Sequence, residues 1–490
     1  MMVSTSTPTD TSVTDSSESH AAVTAAANNH TLPPSILDAI DYARGEPNLF
    51  PNKKTENWLN TPVAYVLAAR EARLSASSVT SSLESKDGSG SGTDARVSGK
   101  AHEHAHPVHG HQEEQEFPIG DLLLEECVTL IVIDGEWQQE LFDHSILPEG
   151  VRVSSFDALD SRRAKIVSDS LRHSVDRANT PFATDAVLAL ENGIFIEVDE
   201  GIEFETPVQV LQVNTRDTNY HCSHLVSHLA SSSSAVIIEQ YVDAFTETAS
   251  NEEGVSEISA KSSKRARFVC NAVSEYLVES DAKLEHYLLN FGDDASIHVG
   301  SCQFALAEKA ELASFAIAFG SDLVRCDIGV DFNGESAQAT LNGVYLPNGN
   351  DTVDYHTELR HRAAYGKSQE TFRGIVSDNA RAIFNGRIHI FPQAQKTLAE
   401  LSNKNLLASL KAEVFTKPEL EIYADDVQCA HGATVAALDE RAMHYLTSRG
   451  ISHSKARSML SAGFVVELVN NIQNDAVAKL LTPMIESRFT

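Results

Sequence analysis

Between residues 193 and 435 the chain alternates apolar and polar positions with a period of two. The runs are IFIEV, VQVLQV, AVIIEQYV, LEHYLLNF, ELASFAIAF, AQATLNGVYL, ARAIFNGRIHIF and LKAEVFTKPELEIYADDVQCAH. On an extended backbone successive side chains point to opposite faces, so each run predicts a strand with one buried face. Successive runs begin roughly 15 to 30 residues apart, and no helix-length periodic stretch separates them, which excludes a doubly wound α/β sheet. A solenoid or a sandwich of strands remains. The loose repeat, in the range of roughly 20 to 50 residues, points to a parallel β-helix in which each coil buries its inward side chains against its neighbours. Residues 246–266 interrupt the pattern with a polar stretch, predicted as an exposed loop.

The flanks differ in kind. Residues 1–31 are rich in Ser, Thr, Ala and Asn and predict a disordered tail, because they bury too little to offset the entropy of ordering. Residues 32–74 predict an N-terminal helical region from Ile36, Leu37, Ile40 and Tyr42 and from PVAYVLAAREARL. Residues 75–116 read as a low-complexity, histidine-rich insertion. Residues 117–192 form a mixed α/β lead-in to the core at 193–435. There CVTLIVIDGEWQQEL predicts a strand, a turn at Gly135 and a second extended piece, and Phe156 to Val175 predicts a helix before the break at Asn179-Thr180-Pro181. Residues 436–490 predict a helical C-terminal domain. LDERAMHYLTSRG places Gly450 just past a helix end, Ser452 or Ser454 caps a second helix, and residues 474–487 carry Val477, Leu480, Leu481 and Ile485 at amphipathic spacing.

Composition narrows the class. A chain of 490 residues with 42% hydrophobic content can bury a sizeable core. Its 38 basic against 69 acidic side chains give a net charge of −31, which argues against nucleic acid or an anionic membrane as partner. The six cysteines, Cys127, Cys222, Cys270, Cys302, Cys326 and Cys429, are scattered singly, as expected in a reducing compartment. Residues 1–31 read neither as a secretory signal nor as a transit peptide, and no apolar run approaches the roughly 20 residues of a spanning helix, so a cytoplasmic location is expected.

Enzyme signatures are missing: GxxxxGK[ST], GxGxxG after a strand, GxSxG and HExxH do not occur, so no ATP site is expected on this chain. His221, His224 and His228 form an H-x2-H-x3-H run beside Cys222. With SSSS following, the run reads as a loop or an exposed strand edge rather than a ligand set. His102, His104, His106, His109 and His111 could chelate a transition metal, since imidazoles at short spacing can bend round one ion; the competing reading is a polar tract in a linker. The more specific feature is Cys429-Ala430-His431-Gly432, at the end of the last β run. Positions i and i+2 of a strand share a face, so thiol and imidazole would project together, and both donor types suit iron-sulfur clusters and thiophilic ions. Two ligands do not complete a tetrahedral site, so others must come from elsewhere, a second chain among them. Against this stands a buried cysteine beside an ordinary histidine.

Residues 372–450 resemble the C-terminal half of the SufD family. NARAIFNGRI, QAQKT, NKNLL, KPELEIYADDV, C-x-HGATV with its LDE, and YLTSRGI occur in the family's order over about 80 residues, and ARSML...GFVVELV and ENWLNTP at Trp58 also resemble it. SufB-like sequences lack C-x-HGATV, so the resemblance is to SufD rather than SufB. It implies a right-handed parallel β-helix between small N-terminal and C-terminal helical domains. It also implies a scaffold subunit that pairs with SufB through the β-helix, while the ATPase SufC docks on the C-terminal helices. The family's histidine of C-x-HG lies at the SufB junction, where it is implicated in building the nascent cluster. That role falls on His431, with Cys429 as an accompanying sulfur or metal contact, and Asp425 and Asp426 are read as structural. A nascent cluster or iron shared with SufB, reduced flavin on the complex, and a homodimer of the isolated chain belong to the same expectation.

Two other readings stand beside this one. The chain could be a purely architectural partner of SufB, with Cys429 and His431 inert, or a β-helix enzyme acting on a polysaccharide or an acyl donor.

Overall fold

The computed structural model describes residues 31–45, 50–51, 55–73, 122–176, 180–215, 219–244, 267–293 and 295–489. The tail up to residue 30, the histidine-rich insertion and the polar stretch at 246–266 lie outside the described residues.

Among the described residues, nineteen strands follow one another. The first four are β1 (Val128–Ile133), β2 (Glu136–Trp137), β3 (Val151–Ser155) and β4 (Ile194–Val198). Then come β5 (Glu203–Asn214), β6 (Tyr220–Leu229), β7 (Ser234–Asp243), β8 (Phe268–Val278), β9 (Lys283–Phe291), β10 (Ser296–Leu306), β11 (Glu311–Phe319) and β12 (Leu323–Phe332). The last are β13 (Gln338–Tyr345), β14 (Thr352–His361), β15 (Lys367–Val376), β16 (Arg381–Ile390), β17 (Leu398–Leu407), β18 (Glu413–Ile422) and β19 (Gln428–Ala437). Odd-numbered strands from β5 onward stack in a ten-stranded sheet that ends in β1 and β2, and even-numbered ones in a nine-stranded sheet that ends in β3. Neighbours are parallel except β1 with β2 and β3 with β4, which cap the starting end. The expected parallel β-helix is thus what forms: a β-solenoid whose two sheets enclose one apolar lumen.

The period-two pattern sets the inward face. In β16, Ala382, Phe384, Ile388 and Ile390 are buried in the lumen while the alternating positions face out. Turns repeat as well. Asp281, Lys309, Ser336, Tyr365 and Lys396 take left-handed φ, one per coil at a spacing of roughly 30 residues. Each donates its N–H to the turn carbonyl of the following coil, the last from Lys396 to Asp426 O at 2.6 Å. The side chain of Asp426 also pairs with Lys396, so this aspartate ties off the turn stack.

Helices cover both outer faces. α1 (Pro34–Gly45), α2 (residues 64–73), α3 (Ser161–Asp176) and α4 (Pro181–Leu188) lie on the nine-stranded sheet, with Ile36, Leu171, Phe195 and Val226 in one cluster and Trp58, Val66, Phe182 and Val269 in another. α5 (Glu440–Ser448) ends at Gly450, φ +88°, which only glycine adopts freely. α6 (His453–Val469), capped by Ser452, and α7 (Asp475–Ser487), capped by Asn474, pack Val465, Leu468, Leu481 and Ile485 on Ile238, Leu289 and Ile317 of the ten-stranded sheet.

The run His221, His224 and His228 departs from its expectation. It is no loop or exposed edge but lies in β6, inside the nine-stranded sheet. His221 points into the lumen, with Nε2 3.0 Å from Asn214 Oδ1, and burial lowers its pKa to about 4. His224 and His228 are on the outer face, four residues and thus about 13 Å apart. No common ion can join all three. The reason is that helices cover this strand's outer face, so polar residues that read as solvated are enclosed.

His228 instead lies 3.6 Å from Glu197 and 3.7 Å from Glu279. Burial works against its charge, but the two carboxylates prevail and raise its pKa to about 9. The sign follows: this contribution to stability is complete below the ordinary value near 6.5 and is lost as pH rises through about 9. Denaturation at pH 6 and pH 9.5 is expected to show a smaller pH-dependent loss in His228→Gln than in the unmodified chain; equal losses would remove the pair from the account.

Candidate functional site

The final coil is built from β18 and β19, and it differs from the others in having a neighbour on one side only. Both sheets therefore end there in strand edges that no described strand pairs. Pro418 sits within β18, a position tolerated at an edge because proline has no N–H to donate. Around the edges Phe415, Ile422, Tyr423 and Val435 are exposed. Contiguous free edges with apolar side chains are a surface that natural proteins either blunt or cover.

Cys429 and His431 occupy this coil. In β19, Cys429 is opposite Ala399 of β17 and His431 is opposite Leu401, and both partners are buried in the lumen. Register thus puts thiol and imidazole on one face, the inward one, as the i, i+2 spacing requires. Cys429 is half-buried and packs against the end of the apolar core, whereas His431 is exposed where another coil would have covered it. Burial raises the Cys429 thiol pKa, and a backbone contact from Ala399 counters only part of that. A bound soft cation would be needed to hold it as thiolate near neutrality. The exposure of His431 leaves approach to the imidazole open. Asp425 and Asp426 lie at the preceding turn, where Asp426 N–H donates to Gln395 Oε1 at 2.9 Å.

This is one nitrogen and one sulfur donor, on the exposed inward face of an unfinished coil. Such a pair fits an iron-sulfur or thiophilic ion as substrate only if further ligands arrive from outside. The five histidines from His102 to His111 fall outside the described residues.

Sequence reasoning missed Glu239, His286 and Cys302. Three strands bring these buried residues together in the lumen, with ligating atoms within 4.8 Å of one another. The available signal was Glu239 inside the apolar run AVIIEQYV and His286, beside Glu285, inside LEHYLLNF.

Fold and terminal coil together define a class: β-solenoid proteins with a thiol and an imidazole on one face of the end coil. The comparisons specify it. Residues 212–464 match the family described as SUF system FeS cluster assembly, SufBD core domain. The chain is 30% identical over 370 residues to the iron-sulfur cluster assembly protein SufD of Escherichia coli, covering 74% of this chain and 80% of that protein. It is 24% identical over 345 residues to an iron-sulfur cluster assembly SufBD family protein of Synechocystis, with 70% and 74% covered. It is 26% identical over 304 residues to SufD of Bacillus subtilis, with 61% and 64% covered. The chain belongs to the SufBD family and is an iron-sulfur cluster assembly protein of the SufD type. No helix among the described residues is long and apolar enough to cross a membrane.

Proposed function

We propose that this chain is the SufD-type half of a cytoplasmic scaffold whose open coil joins SufB, so that a nascent iron-sulfur cluster, or its iron, is ligated across the seam by His431 with Cys429 beside it. The observation that carries this reading is the coincidence of two unpaired sheet edges with the thiol and imidazole on the same coil. A partner that continued both sheets would bury Phe415, Ile422 and Val435 and bring its own ligands over the inward face. SufC, which supplies ATP chemistry, would dock on α5 to α7, where Tyr445, Met459 and Val466 are exposed. Reduced flavin would act on the complex. In this reading the chain itself positions and ligates, without turning over a substrate.

The test is reconstitution with SufB and SufC carrying His431→Ala, with assembly verified by size. Loss of a direct ligand is expected to lower cluster content at least about tenfold, because even the outer partners of metal ligands are worth that much. Undiminished clusters in an intact complex would remove His431 from the chemistry. If Cys429→Ser and His431→Ala together also leave clusters intact, this chain is an architectural partner only.

A further inference from the structure

We propose that the solenoid lumen holds a second, internal site for one divalent first-row transition ion, with Glu239, His286 and Cys302 as ligands. This is independent of the terminal coil and of any reading of Cys429 and His431. Glu239 on β7 and His286 on β9 come from the ten-stranded sheet, and Cys302 on β10 reaches across from the nine-stranded one. All three are almost completely buried.

The geometry suits an ion. His286 Nε2 lies 3.1 Å from Glu239 Oε1, and Cys302 Sγ lies 4.0 Å from each. Tetrahedral bonds of about 2.0 Å to oxygen and nitrogen and about 2.3 Å to sulfur separate N from O by about 3.3 Å and S from either by about 3.5 Å. A shift of the thiol by about half an ångström closes the difference, within reach of a side-chain torsion.

Supporting contacts are already in place. Tyr241 at 2.8 Å and Ser274 donate to Oε2 of Glu239, which turns Oε1 toward His286 and Cys302, while Tyr276 donates to Oε1 at 2.7 Å. His286 Nδ1 is fixed 3.0 Å from Ser314 Oγ, leaving Nε2 as the ligating atom. Such outer contacts are what orient metal ligands. Electrostatics agrees. Burial alone would raise the Glu239 pKa, but His286, Ser274 and Tyr276 outweigh it and hold the carboxyl ionised. Among the described residues no Lys or Arg pairs with it, and its nitrogen partner is His286 Nε2. An ion would supply the missing countercharge, displacing the thiol proton of Cys302 and the Nε2 proton of His286, so uptake weakens as pH falls.

The full chain is refolded from denaturant under anaerobic, reducing conditions with Co2+, desalted, and read for the charge-transfer band of a thiolate-cobalt bond. Cobalt held by histidines alone gives no such band. The band is expected in the unmodified chain and in the Cys429→Ser, His431→Ala double variant, and is expected to vanish in Cys302→Ala. Glu239→Gln should keep the band but weaken cobalt retention at least about tenfold. Should Cys302→Ala not refold, Cys302→Ser keeps the volume and reads the same band. Absence of the band in the refolded unmodified chain, its survival without the Cys302 thiol, or its loss in the double variant overturns the site.

Discussion

Replacing Asp354 by alanine is expected to destabilise the folded chain by about 3–5 kcal/mol, because it leaves a fully buried guanidinium with only the partly exposed Asp327 to balance it. Arg325 is fully buried on the outer face of the nine-stranded sheet. It donates from Nη1 to Asp354 Oδ2 at 2.8 Å and from Nη2 to Asp327 Oδ1 at 2.7 Å, and its charge lies 3.8 Å from the centre of the Trp58 ring. Thr61 also donates to Asp354, so this ion pair is one of the contacts that hold the ENWLNTP segment on the solenoid, beside Lys417 with Glu56 and Arg381 with Asn60 O. Burial alone would raise the Asp354 pKa, yet Arg325 and His356 bring it down to about 2. The stabilisation is therefore present above the ordinary value near 3.8 and lost as pH falls through about 2. Urea denaturation at pH 7 measures the loss. Replacing both partners, Asp354→Leu with Arg325→Met, should recover most of it, since removing two charges together avoids the orphan that removing one creates. A single-variant loss below about 1 kcal/mol would mean that Asp327 alone satisfies the guanidinium.

Glu370→Met is expected to act in the opposite direction. Glu370 lies in β15 between Leu341 and Leu401 on the inward face, two strands from His431 in the same rung of side chains. Burial pushes its pKa up from 4.5 to about 8, and the Thr357 hydroxyl pulls only weakly the other way. The folded chain thus keeps a proton that the unfolded chain has released, and stability falls as pH rises from about 4.5 to about 8. The near-isosteric apolar side chain removes that dependence. Its advantage over the unmodified chain should be larger at pH 8 than at pH 5 by about 2–4 kcal/mol in denaturant titrations. An advantage that does not change with pH would show that Glu370 is already ionised in the fold.

Much of the architecture was legible because it depends on local alternation. ARAIFNGRIHIF declares its inward residues through period two, Asn179-Thr180-Pro181 separates α3 from α4, and Gly450 marks the end of α5. The Cys429 and His431 pair was legible for the same reason, since strand parity alone decides that they share a face. What depended on stacking register was not. His221, His224 and His228 read as solvated because nothing local to them reveals the helices that cover β6. Glu239, His286 and Cys302 come from three different strands, and Trp58 meets Arg325 across most of the chain. Such meetings follow from how many residues each coil spends on its turns, which a degenerate repeat does not disclose.

A stack of coils is held together along one axis, and its two ends are not alike here. The starting end is closed by the reversed strands β2 and β3, whereas the finishing coil leans on a single neighbour. In such an arrangement the free energy of local opening is lowest where nearest-neighbour support is halved. Cys429 and His431 on β19 therefore sit where fraying begins, and a strand that extended the ladder beyond them would also quieten the backbone that carries them. In the proposed assembly, docking at this end and preorganisation of Cys429 and His431 would be one equilibrium.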